Sequence, residues 1–281
     1  VTEIPRPAKR WVPRPIWSAG SAAYWWWRNR GQDQLAGWLS PRRWESSAEL
    51  RRLRNRHVGE RCFILGNGPS LRKTDWSLLR GEITFGMNRI YLLFSEMGFV
   101  TTYFAAVNSL VLEQCASDIQ ALTMPKFVAW RARRWLADDP RVIFLDTDYR
   151  GKAQFSKEAS RRIFEGSTVT YVALQLAFHM GFQEVILLGV DHLFQTPGPP
   201  NAMVESAGED LNHFSASYFG KGFRWQLPDL NASETAYRMA RTAFESAGRR
   251  VLDATRGGQL TVFPKVPLER LPRLGGASAA G

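Results

Sequence analysis

The sequence predicts an α/β protein built on a doubly wound, mostly parallel Rossmann-like sheet, with a flap region and a Trp/Arg-rich N-terminal extension. Three observations lead there. Beyond residue 60, short apolar runs alternate with longer segments of helical periodicity, as in successive βαβ units. The apolar runs, such as Val185-Ile186-Leu187-Leu188-Gly189-Val190, have the length of buried strands and not of membrane spans. Finally, the first of them, Phe63-Ile64-Leu65, runs straight into the glycine turn Gly66-Asn67-Gly68-Pro69-Ser70.

Strands are expected at 61–65, 82–87, 102–107, 126–128, 142–145 and 184–189, with two more near 250–253 and 260–263. Between them, 91–97, 110–122 and 169–181 read as helices, the last placing Val169, Val172, Leu176 and Met180 on one face. A final helix over 234–247 is expected to start from a Ser233 cap and to stop at Gly248. No internal repeat is visible.

The domain organisation follows from composition. Residues 1–60 hold 12 Lys and Arg against 5 Asp and Glu, together with 7 of the 11 tryptophans, and form a basic extension. Pro5, Pro7, Pro13, Pro15 and Pro41 make residues 1–45 an irregular arm with a short helical piece at 22–30. Such an arm suits contact with an anionic membrane surface, where indoles sit at the interface and each basic residue adds about 1 kcal/mol. The alternative is that its tryptophans fill the back of the core. Residues 61–272 form the nucleotide-binding catalytic domain, including a flap over 192–230, and the Gly- and Ala-rich 273–281 is a flexible tail.

Composition also excludes. With 44% hydrophobic and 22% charged residues the chain is ordinary for a globular protein, and nowhere do 18 apolar residues run together as a span requires. Cys62 and Cys115 have no zinc, redox or disulfide-framework spacing, so the expected compartment is the reducing cytoplasm, at the inner face of the membrane if the arm binds there. The net charge of +11 makes nucleic acid a rival partner, and a non-enzymatic nucleotide- or RNA-binding protein a rival function. No recognised RNA-binding motif accompanies the charge, and nucleic acid is not the expected partner.

The glycine turn carries the sharpest chemical signal. Glycines at Gly66 and Gly68 let backbone amides approach a phosphate or nucleoside, and ligands in open α/β sheets bind at the carboxyl ends of strands. Leu71 stands where a dinucleotide fingerprint wants a third glycine, and the second strand ends on Asn88, not on an acid, which disfavours NAD. No Gly-Lys-Ser/Thr follows, so a Walker loop is absent. Asn67, Asn88 and Asn108 close three successive strands. One strand-end asparagine is commonly a turn former, whereas three in sequence point to a ligand whose base or ribose an amide can read.

Other candidates converge on the same edge. Gly166-Ser167-Thr168 precedes the long apolar helix, placing the Ser167 and Thr168 hydroxyls at a favourable anion site, with an ordinary helix cap as the alternative for either. Gly189-Val190-Asp191-His192 ends another strand and brings a carboxylate and an imidazole suited to acid–base work. In the flap, His213 is placed to deprotonate an acceptor hydroxyl, with Tyr218, Lys221 and Arg224 available for a phosphate leaving group. His179 reads as structural and His57 as part of a basic linker. Asp146-Thr147-Asp148 matches an Asp-X-Asp metal motif too short to be specific.

Taken together, Gly66-Asn67-Gly68-Pro69-Ser70-Leu71, Asn88-Arg89-Ile90-Tyr91, Asn108-Ser109, Gly166-Ser167 and the stretch from Gly181 through Asp191 resemble the bacterial lipooligosaccharide sialyltransferases. They resemble equally the motility-associated flagellin glycosyltransferases and the wider group named for 6-hydroxymethylpterin diphosphokinase. The resemblance spans residues 61–263. It implies a transferase that moves a sugar, such as a nonulosonic acid, from a CMP-activated donor to a surface-glycan or glycolipid acceptor, with no cofactor required. It further implies that Asn67, Gly68, Asn88, Asn108 and Ser167 bind the donor and that His213 is the base. The sequence departs from the sialyltransferases in having Gly166-Ser167-Thr168 for Thr-Ser-Gly and Leu193 for a tyrosine. Asp191-His192 is closer to the pterin-kinase group, whose chemistry would use ATP and Mg²⁺ held by Asp191 or by Asp146 and Asp148.

Overall fold

The computed structural model describes residues 40–149 and 154–272. Residues 1–39 of the expected arm, with its helical piece at 22–30 and its membrane contact, and the tail at 273–281 lie outside the described residues, whereas 41–45, expected to be irregular, open a helix with Pro41 as its first residue. Two compact units divide the chain, Val1–Trp44 and Glu45–Gly281, and the whole of the central sheet belongs to the second.

Seven parallel strands form that sheet: β1 (Arg61–Leu65), β2 (Ile83–Met87), β3 (Tyr103–Ala106), β4 (Lys126–Ala129), β5 (Val142–Leu145), β8 (Glu184–Leu188) and β11 (Arg250–Asp253). Two short pairs lie outside it, parallel β6 (Thr147–Asp148) with β7 (Ile163–Phe164), and antiparallel β9 (Met203–Glu205) with β10 (Arg224–Gln226). Apart from the first residue of β1, β2 and β8, the strands from β1 to β5 and β8 are buried along their whole length, the condition of a sheet covered on both faces. The fold is the doubly wound α/β sheet that the alternation predicts.

Strand order places the site. Across the sheet the order is β11-β8-β1-β2-β3-β4-β5, so the chain steps outward from β1 to β5 and then returns to the other side of β1 as β8. The direction reverses between β1 and β8, and a crevice opens at such a switch point. Leu65 pairs with Leu188 in register, which sets the Gly66 turn directly beside Gly189.

Six helices are described: α1 (Pro41–Leu53), α2 (Phe94–Met97), α3 (Ser109–Gln114), α4 (Ala116–Ala121), α5 (Val169–Met180) and α6 (Leu230–Ser246). α5 is the most apolar, with every residue after Val169 buried; it starts from a Thr168 cap and stops at Gly181, whose φ of 95° suits glycine. α6 shows one buried face, Ser233, Ala236, Tyr237, Ala240, Ala243 and Phe244.

Some expected elements differ. The 110–122 helix breaks at Cys115 into α3 and α4, and 91–97 is a 3-10 turn over Ile90–Leu93 followed by α2. α6 is capped by Asp229, whose carboxylate accepts from the Ala232 amide at 2.9 Å, and Ser233 is an interior residue. At 260–263 Leu260 and Phe263 are buried, but the backbone forms no strand; only Lys265 bridges to Asp253. Residues 46–60 join the domain instead of the extension. Ser46 Oγ accepts from the Phe144 amide at 3.0 Å, Leu50 and Leu53 are buried, and the Asn55 and His57 amides donate to the His179 and Met180 carbonyls. His57, read as linker, stacks on Phe182 with centroids 4.5 Å apart.

Candidate active site

One crevice at the switch point is lined by Gly66, Asn67, Gly68, Met87 and Asn88 from the ends of β1 and β2, by 167–170 at the start of α5, and by 189–194 after β8. Asn212 and His213 from the flap close one side, and Pro228, Leu230, Ser233 and Tyr237 close another. Most of the sequence-expected residues therefore meet in one place, although five chain segments supply them.

The glycine turn works differently from the expectation. The Gly66 amide donates to the Leu188 carbonyl at 2.6 Å and the Gly68 amide to Gly189 at 2.9 Å, so neither is available to cradle a phosphate. Each is glycine because its neighbour is too near: a Cβ on Gly66 would overlap the Gly189 carbonyl oxygen, and one on Gly68 would overlap the Asp191 carboxylate. Asp191 fastens the same loop, accepting from the Ser70 amide at 3.1 Å and from its hydroxyl at 2.7 Å. Burial raises the Asp191 pKa while the Ser70 bonds lower it, with a net rise. Thus Pro69 and Ser70 stand outside the lining, and Asp191 lines the crevice with its carboxylate already bonded to Ser70.

The asparagines separate into two kinds. Asn67 and Asn88 each bury a carboxamide oxygen that has no hydrogen-bond partner, and both line the crevice. An unpartnered buried acceptor costs about 1–3 kcal/mol, which an incoming donor removes. Asn108 is corrected: its Oδ1 accepts from the Leu110 and Val111 amides at 2.9 and 3.3 Å, capping α3, and it is not in the lining.

Backbone strain gathers here too. Asn88, Ser167 and His192 have φ of 51°, 62° and 54°, the left-handed region that costs a non-glycine residue about 1 kcal/mol or more. Thr168 caps the Thr170 amide at 3.3 Å, and its hydroxyl lies 3.3 Å from the Tyr237 hydroxyl. His192 meets the Tyr237 ring edge-on, and burial lowers its pKa below the ordinary 6.5. A depressed histidine gives stability that is present above the unfolded pKa and lost as pH falls through the folded one. His192→Gln should therefore flatten part of the fall in melting temperature below about pH 6.5, the ordinary value for histidine; an unchanged acid slope would show that burial does not hold the ring neutral.

His213 is the most constrained group in the crevice. Its Nδ1 lies 2.8 Å from the Asp210 carboxylate, with both side chains nearly buried, at 12% and 4% exposed. The carboxylate fixes the proton on Nδ1 and leaves the Nε2 lone pair free in the neutral ring. Sequence reading missed Asp210, although its spacing three residues before His213 was available as a signal. Tyr237 was missed as well, because it lies on an apolar helix face that reads as core.

The leaving-group candidates are corrected together. Tyr218 is buried, its ring stacked on His213 at 4.0 Å. Arg224 lies on β10, where Gln114 bonds its backbone at 2.8 and 2.9 Å and Glu113 pairs its guanidinium at 3.1 Å. Lys221 is exposed on the Gly220–Gly222 turn. None of the three lines the crevice. Among the described residues no three His, Cys, Asp or Glu side chains converge to hold a metal ion, and Asp146 pairs with Arg162 at 3.7 Å. No described helix is long and apolar enough to cross a membrane.

Comparison with known proteins bears on the fold and the family. No curated protein sequence matches the chain. Among solved structures, the MAf glycosyltransferase from Magnetospirillum magneticum AMB-1 superposes with a TM-score of 0.50 at 15% identity, over 90% of this chain and 42% of that one. The likeness is one of fold, and this chain spans less than half the length of that protein. The model of the 6-hydroxymethylpterin diphosphokinase MptE-like family matches residues 42–197, a stretch that includes the glycine turn, Asn88, Ser167 and Asp191 and stops before His213. The chain belongs to the MptE-like family.

Proposed function

We propose that this protein is a glycosyltransferase that transfers a sugar, such as a nonulosonic acid, from a CMP-activated donor to a surface-glycan or glycolipid acceptor. The observation that carries the reading is the pair of unpartnered Asn67 and Asn88 oxygens in the same crevice as the Asp210-held His213. The asparagines accept from the base or ribose, and the imidazole faces the chemistry. In the transfer, His213 Nε2 takes the proton of the acceptor hydroxyl as its oxygen bonds to the anomeric carbon. The bond from that carbon to the phosphate oxygen breaks, and CMP leaves with the electron pair.

Charge supports a monophosphate donor. Among the described residues no Lys or Arg lines the crevice, in a chain of net charge +11. The single negative charge of a CMP-sugar phosphodiester is matched by the hydroxyls of the lining, the His192 imidazole and the positive end of α5. A nucleoside diphosphate brings more charge and calls for a counter-cation. The solved glycosyltransferase of like fold supports the sugar-transfer reading, and the family's name supports a second, in which ATP–Mg²⁺ pyrophosphorylates a pterin alcohol.

A thermal-shift panel of CMP, CDP, UDP, GDP and ATP, with and without Mg²⁺, separates the two. A ligand at 100 times its Kd stabilises the native state by about 2.7 kcal/mol, so CMP should raise Tm without metal. Asn88→Ala should weaken CMP binding by about 1–3 kcal/mol with the fold intact. A shift with ATP–Mg²⁺ alone would overturn the CMP reading in favour of the pyrophosphokinase.

A further inference from the structure

Next to Asn88 stands a residue that touches the flap and not the crevice. The Arg89 guanidinium lies 5.7 Å from the Tyr218 ring centroid and 5.3 Å from that of Phe223, and its backbone amide donates to the Tyr218 hydroxyl at 3.4 Å. On its own side of the molecule Arg89 is anchored, with Nε donating to the Tyr91 hydroxyl at 3.3 Å, which donates in turn to Asp118 at 3.0 Å. Tyr218 then carries His213, their rings 4.0 Å apart and within 4° of parallel. Phe219 meets the imidazole edge-on at 4.8 Å.

We propose that Arg89 is a positioning residue for the transfer reaction: by clamping Tyr218 it fixes the His213 ring relative to Asn88, so that nucleotide recognition and proton abstraction keep one register. The inference rests on the proposed sugar transfer. Three features give it weight. Asn88 and Arg89 are consecutive, so the strained backbone that presents one side chain to the crevice sets the other against the flap. Cation–π contact holds two aromatic rings without a rigid covalent link, and here both rings belong to the flap. Asp210, the other group that orients His213, is itself a flap residue and cannot relate the ring to the sheet. Other tethers, Phe214 N–H to the Asn67 carbonyl at 3.0 Å, Arg72 Nε to the Phe214 carbonyl and Gln114 to the Arg224 backbone, fix the flap backbone but do not touch the imidazole.

The test uses the full chain with Arg89→Met and Arg89→Lys. A ring proton facing a phenol 4.0 Å away is shielded, so a His213 carbon-bound proton should resonate upfield, and with only 4 histidines in the chain its signal can be assigned by comparison with His213→Gln. Arg89→Met should abolish that upfield displacement and lower turnover of CMP-N-acetylneuraminic acid, followed as CMP release, by about tenfold to a hundredfold, the scale of a misplacement near 1 Å. CMP affinity should stay within about threefold, a factor worth less than the 1.4 kcal/mol of a tenfold change. Arg89→Lys, which keeps a cation over the rings, should restore much of both signals. A His213 resonance that stays upfield in Arg89→Met overturns the proposal, as does loss of CMP affinity in parallel with turnover, or failure of lysine to rescue. If the unmodified protein neither binds CMP nor turns over the donor, the sugar-transfer reading fails instead, and the resonance alone still decides whether Arg89 sets the ring.

Discussion

His213→Ala is expected to lower turnover of a CMP-activated nonulosonic acid by roughly 10²–10⁴ while leaving CMP affinity nearly intact, because a general base acts in the transition state and not in the bound ground state. The geometry explains both halves. In the proposed transfer, nucleotide recognition is assigned to Asn67 and Asn88, whose unpartnered oxygens make no bond to His213. In that proposed transfer, proton removal falls to a ring whose Nδ1 is committed to Asp210 at 2.8 Å, which leaves Nε2 as the reactive atom. Asp210→Asn offers a companion measurement, since an amide can present either a donor or an acceptor to Nδ1 and so releases the tautomer. Its turnover should fall while the ring stays stacked on Tyr218. Because His213 also fills space between Tyr218 and Phe219, a melting curve accompanies each variant. Normal turnover in a folded His213→Ala protein would reduce the histidine to a packing role and pass the base to His192.

The same residues show why some of the site was legible in the sequence and some was not. Strands β1 to β5 and β8 of the main sheet could be read because parallel strands covered on both faces are mostly apolar, a local property that needs no knowledge of neighbours. Leu260 and Phe263 show the limit of that signal. They are buried, as their apolarity requires, yet burial does not dictate strand pairing and the chain there runs as a loop. Asn108 shows another limit, since a strand-end asparagine that caps a helix and one that faces a ligand have the same sequence context; only the bonds to Leu110 and Val111 tell them apart. Tyr218, Lys221 and Arg224 carry suitable chemistry, but whether a flap residue points inward depends on docking to α3 and to Arg89, which are distant in sequence.

The glycine turn was legible as part of the candidate crevice and misread in its physics, and that difference supports the second large effect. Gly66→Ala is expected to destabilise the fold by about 3 kcal/mol, the upper end of the usual cost of overpacking. A flexible neighbour would yield at lower cost, but the added Cβ meets backbone, the Gly189 carbonyl and, at 3.0 Å, the Val190 nitrogen. That backbone is fixed from three sides. Gly66 N–H bonds to Leu188, Gly68 N–H to Gly189, and Val190 N–H to the Thr255 hydroxyl at 3.1 Å. Relief must come from separating the β1 turn from the β8 turn, which also moves Asn67 and the Ser70–Asp191 bonds, so CMP binding should be lost along with stability. Gly220→Ala is the control: nothing lies within 4 Å of its added Cβ, and stability should be unchanged within about 0.5 kcal/mol. Urea denaturation of the two variants measures both quantities with the same probe. If Gly66→Ala unfolds at the same urea concentration as Gly220→Ala, the two turns are not in backbone contact. The close approach that builds the crevice would then have to be abandoned.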